Sequence, residues 1–140
     1  MAAQGLFNYT WTLLEMADRT AHESEMMVDS AHASRLFWDG IGTPVNHARG
    51  EWQISRVYAT LARVEPALHH AQRCLDICVE HTLGAFDLGF AYEAVARAHA
   101  VAGNKAQVAQ FYEKACATAE LITPTDDRNL LLADLETVQQ

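Results

Sequence analysis

The chain has 140 residues, half of them apolar, enough for one domain with a buried core. Eighteen Asp and Glu stand against ten Lys and Arg, a formal charge of −8, which disfavours nucleic acid as a partner because phosphates meet no general attraction. Three cysteines, an odd number, argue against a disulfide framework and for a reducing, cytoplasmic setting. No basic leader and no apolar run near the roughly 20 residues of a bilayer span are present, so a membrane partner is not expected.

Helix formers dominate and alternating β-branched runs are missing, which predicts an all-α fold of about seven helices. The first is expected from Asn8, read as an N-cap, to about Thr20, and the second from about Ser24 to the glycines of WDGIGTP. Thr43-Pro44 is an N-cap followed by proline at the first helical position, so a third helix starts there and ends near Arg63. Pro66 opens the fourth, which runs out at HTLGAFDLG. The fifth covers about Asp87 to Ala102, Gly103-Asn104 makes a tight turn, and the sixth covers about Lys105 to Leu121. Thr123-Pro124-Thr125-Asp126 caps a seventh, expected over about 125–139.

The segment GNKAQVAQFYEKACATAE, from Gly103, holds Gly103, Val108, Tyr112 and Ala115 at a spacing that returns one step earlier as Ala62, Ala67, Ala71 and Cys74, and two steps earlier as Ala21, Met26, Ser30 and Ala33. The step is 41 residues. Leu13, Ile54 and Val95 share an apolar place at the same step. This pattern resembles the tetratricopeptide-repeat-like (TPR-like) superfamily, whose usual repeat is about 34 residues. The resemblance implies a single domain built as a right-handed stack of antiparallel helical hairpins, here about 8–41, 44–82 and 87–121, shielded by a C-terminal capping helix.

The stretch HHAQRCLDICVEH places His70, Cys74, Cys78 and His81 on one side of a helix, at spacings compatible with metal ligation. One straight helix presents at most two neighbouring ligands comfortably, and the repeat puts both cysteines where small apolar residues sit. Packing is therefore the expected role, and no metal or cofactor is expected. His22, Glu25, Asp29 and His32 form a second His and carboxylate group, read as a solvated face, and His99 is read as a packing histidine.

No nucleophilic triad, phosphate loop or paired CxxC appears, so enzymatic chemistry has no positive support. In the TPR-like arrangement the first helices of the hairpins line a concave groove. Projected onto this chain, the groove carries Trp11 and Glu15, then Arg49, Trp52 and Arg56, then Phe90, Glu93 and Arg97. Arginine forks bind carboxylates and aromatic rings supply buried area. The expected function is a non-enzymatic interaction module taking a peptide or protein segment, acidic in character, with self-association as a further option. An alternative is a metal-dependent or small-molecule-binding helical protein using His, Cys and carboxylate side chains. Pairing of Glu93 with Arg97 along their own helix is an alternative use of those two residues.

Overall fold

The computed structural model describes residues 2–138, and among them it contains seven α-helices and no strand. They are α1 (Ala2–Leu14), α2 (Ala21–Ile41), α3 (Pro44–Thr60), α4 (Val64–Glu80), α5 (Ala85–Ala102), α6 (Lys105–Ala119) and α7 (Thr125–Glu136). The expected end of α7 at 139 lies outside the described residues. None of these helices is long and apolar enough to cross a membrane.

Helix ends follow capping chemistry, with departures from the expected boundaries at both ends of α1 and at the starts of α2 and α4. The first helix begins at Ala2 rather than Asn8. Asn8 caps nothing: the helix is already under way over Ala2, Ala3 and Gln4, and the Asn8 side chain accepts a bond from Gln4 Nε2 one turn back, at 2.9 Å. The helix stops at Leu14, short of the expected end near Thr20, where Arg19 Nη1 donates to the carbonyls of Leu13, Leu14 and Met16 at 3.1, 3.3 and 2.8 Å and covers acceptors left open at the turn. Thr20 then caps α2 reciprocally with Glu23 at 3.0 and 3.1 Å, a turn ahead of Ser24.

The start of α4 departs as well: the helix begins at Val64 with Pro66 inside its first turn, where a missing N–H costs no hydrogen bond. Thr43 and Pro44 start α3 as expected. Gly103 ends α5 in the left-handed region at φ 77°, and Asn104 caps α6.

Each helix packs on the next in sequence, and α1 also meets α3, α3 meets α5, and α5 meets α7. The central core gathers Leu13, Met27, Ile54, Val57, Tyr58 and Val95 around the small residues Ala67, Ala71 and Ala98. Cys74 and Cys78, both buried, share a cluster with Ala48 and Ala91, so the thiols fill space between helices.

Polar ties cross the apolar contacts: Thr10 to Ser30 at 2.7 Å, Ser34 to the Ala3 carbonyl at 2.8 Å, and Gln53 to the Phe7 carbonyl at 2.9 Å. They engage the buried Thr10, Ser30 and Ser34 hydroxyls and the Gln53 amide nitrogen, and they set helix register.

The seventh helix rests on a separate apolar cluster. Leu131 and Leu135 are fully buried with Ala115, Ala119 and Ile122. Each leucine contributes about 1.5–3 kcal/mol by leaving water. Glycine at position 89 permits this approach, since a β-carbon there would lie 2.5 Å from Leu131 Cδ2.

Candidate functional site: an aromatic cavity under the seventh helix

Four of the eight residues projected onto a groove come together. Trp11 from α1, Arg49 and Trp52 from α3, and Phe90 from α5 line a cavity of about 490 Å³. Phe7, Phe86 and Asp87 join them, Ala48 and Cys74 contribute from behind, and α7 adds Leu130, Ala133, Asp134 and Thr137. The α7 residues recur at three- and four-residue steps because one face of that helix borders the cavity.

The rings form a connected wall. Trp11 and Trp52 have centroids 5.5 Å apart, Trp52 meets Phe90 edge-on at 5.6 Å, and Phe86 lies 5.0 Å from Phe90. These separations fall in the favourable range for tilted and edge-to-face pairs. Arg49 sits at the rim, forked onto Asp87 at 2.8 and 3.2 Å and lying over Phe86 at 5.4 Å.

The other four residues lie elsewhere. Glu15 falls beyond the end of α1 and is exposed. Arg56, Glu93 and Arg97 make an internal ionic cluster instead of a free recognition surface. Glu93, with no exposed surface, accepts from Trp52 Nε1 at 3.0 Å, from Arg56 Nη2 at 3.3 Å and from Arg97 Nε at 2.6 Å. Arg97 pairs with it one turn along α5, the alternative the spacing allowed.

Both guanidinium groups then reach α7. Arg56 bonds Asp134, and Arg97 bonds the Asp134 carbonyl at 3.1 Å and Thr137 Oγ1 at 2.6 Å. Complete burial pushes the Glu93 carboxyl above its ordinary range, against the pull of Arg56 and Arg97. The acid that meets these arginines is the chain's own.

A second polar network, unmarked in the sequence reading, surrounds Glu51 of α3. This carboxylate is buried, takes a bond from Arg35 Nε at 2.7 Å, lies 2.7 Å from His70 Nδ1, and has Arg73 at 3.2 Å. Arg35 passes directly over Gly50, where a β-carbon would meet its Cδ at 2.8 Å. Burial raises the Glu51 carboxyl, but the bonds from His70 and Arg35 and the charge of Arg73 outweigh it and hold the group low.

Beside this carboxylate, the His70 ring stacks on Tyr58 at 5.9 Å, and Tyr58 Oη lies 2.8 Å from His32 Nε2. His32 thus turns inward, whereas Glu25 and Asp29 stay on the exposed face. The local signal for Glu51 would have been a glycine before a glutamate facing a histidine-rich helix, and it is weak.

The His and Cys run of α4 does not converge. His70 turns to Glu51, Cys74 and Cys78 lie between helices, and His81 is exposed at the helix end. Among the described residues no three His, Cys, Asp or Glu side chains are grouped to hold a metal ion. Its place as the donor toward neighbouring Cys78, together with its burial, pushes the Cys74 thiol well up, which keeps it neutral. His99 stacks on Phe111 at 5.9 Å.

No protein-family model, curated protein or solved structure matches this chain. The cavity's aromatic walls offer apolar area and edge contacts, and the charges at its rim are paired within the chain. Such a site is suited to holding an apolar group by shape.

Proposed function

We propose that this chain is a non-enzymatic interaction module of TPR-like build, which holds an apolar anchor of a partner segment in the aromatic cavity. The build is supported by the order of helix contacts, in which each odd-numbered helix also meets the next. Trp11 and Trp52, one 41-residue step apart, touch each other, and Arg56 and Arg97, also one step apart, both turn to α7.

The observation that carries the function is the cavity itself: two tryptophans and three phenylalanines from three helices border open space instead of closing over it. Buried aromatic area around a pocket is where binding energy concentrates. Asp134 already satisfies Arg56 and Arg97, so an acidic partner would compete with α7 at those positions. The half-exposed Arg49 at the rim is forked onto Asp87, so a partner carboxylate would have to share or break that pair.

The test is a displayed library of random peptides selected on the wild-type chain, with affinities then compared with a Leu130→Arg variant. Leu130 is 58% exposed and borders the cavity, so this change leaves the core alone. Selected peptides are expected to share one large apolar residue and to lose about tenfold or more in affinity for the variant, equivalent to about 1.4 kcal/mol. Peptides that bind both proteins equally, or a library that yields none, would remove the cavity as a peptide site.

A further inference from the structure

The cavity has features that a docking face for a chain segment does not require. Its volume of about 490 Å³ lies within the span of about 300–1,000 Å³ typical of small-molecule pockets, and its wall comes from α1, α3, α5 and α7 together. Trp11, Trp52, Phe86 and Phe90 give it successive rings 5.0–5.6 Å apart, a lining that favours planar apolar bodies.

Charge narrows the class further. Arg49 is forked onto Asp87, and Asp134 is engaged by Arg56, so a charged ligand would meet no unpaired opposite charge and would have to break a pair to gain one. The thiol of Cys74 is neutral and adds no charge at the back.

We infer that the cavity between α1, α3, α5 and α7 binds an uncharged aromatic small molecule of roughly two or three rings. The inference shares its cavity with the partner-segment reading but needs no partner chain, so either stands or falls alone. Because Leu130 and Ala133 on α7 form one side, the bound molecule clamps α7 against the inner helices. Occupancy of the cavity and docking of α7 are coupled equilibria.

The test uses N-phenyl-1-naphthylamine, an uncharged aromatic dye that brightens in apolar surroundings, titrated into the full chain. Saturable binding of one dye per chain is expected, with slower amide exchange in α1 and α7 on binding. Ala133 is exposed on α7, so Ala133→Trp fills the cavity from its rim and is expected to weaken binding at least about tenfold. Leu130→Arg serves the same purpose if that variant does not fold. The anionic relative 1-anilinonaphthalene-8-sulfonate is expected to bind at least about tenfold more weakly than the neutral dye.

Absence of saturable binding overturns the assignment, as does equal affinity in wild type and both variants, which would place the dye elsewhere. Equal affinity for the two dyes overturns the uncharged class. If the naphthylamine binds and the peptide library yields nothing, the partner reading falls and this one stands. The reverse result separates them the other way.

Discussion

Asp134 on α7 bonds Arg56 on α3 through one carboxylate oxygen and lies 3.6 Å from Arg97 Nη2 on α5 through the other. A single side chain thus ties the seventh helix to two inner helices, and the same helix borders the cavity. Anything that loosens this tie also changes the cavity wall.

Asp134→Ala is therefore expected to lower stability by about 2–3 kcal/mol, because two guanidinium groups that are only 14% and 16% exposed lose a partner. Urea unfolding gives the stability, and hydrogen exchange shows whether α7 opens ahead of the rest. A loss under about 0.5 kcal/mol, the range of ordinary surface changes, would mean that Leu131 and Leu135 hold α7 without help.

How far the sequence carried follows from which signals are local. Thr43-Pro44 and Gly103-Asn104 act through their own backbone, and both boundaries appear where the residues placed them. Asn8 misled because a capping residue type does not cap when the helix is already under way before it. Trp11, Arg49, Trp52 and Phe90 were legible through one-turn spacing and the 41-residue step. Leu130 and Ala133 were not, because they reach the cavity from α7, far along the chain. Likewise the partner that occupies Arg56 lies 78 residues away, and no local pattern announces it. Glu51 stayed hidden because a glutamate in a helix reads as solvated until Arg35 and His70 are seen closing on it.

Gly89 tests the close approach of α5 and α7. In an open helix Gly→Ala would stabilise by up to about 1 kcal/mol. Here the new β-carbon would lie 2.5 Å from Leu131 Cδ2, and Leu131 is fully buried with little room to turn. Gly89→Ala is expected to destabilise by about 1 kcal/mol net, overpacking outweighing propensity. In a double-mutant cycle with Leu131→Ala the penalty should vanish or reverse. A stabilised Gly89→Ala single variant would show that the two helices separate at little cost.

Glu51 and Arg73 give a graded comparison within one network. Glu51→Ala strands Arg35 and removes the partner of His70, and breaking a buried pair in this way costs about 3–5 kcal/mol. The Arg73 side chain is half exposed, so Arg73→Ala is expected to cost under about 1 kcal/mol. Chemical denaturation of both variants decides it, and similar losses would mean that the network acts through charge count instead of burial.

The pH dependence of stability carries the signature of the same network. Burial first, and His70 second, hold the His32 pKa below 6.5, with Glu51 and Asp29 pulling weakly upward. The folded chain then binds fewer protons than the unfolded chain near that pH. Stability that His32 supplies above 6.5 is lost as pH falls toward its folded value. Glu51, held below 4.5, supplies stability above 4.5 that is lost as pH falls further. Glu93 works with the opposite sign, since its raised carboxyl takes up a proton more readily when folded, and His99 adds an effect of the His32 kind. Comparing wild type with His32→Gln cancels both, because they are common to the two proteins. The urea midpoint of wild type is expected to drop more than that of His32→Gln between about pH 7.5 and 5.5. Parallel curves across that window would mean that His32 titrates alike in the folded and unfolded chain, contrary to its burial against Tyr58 and His70.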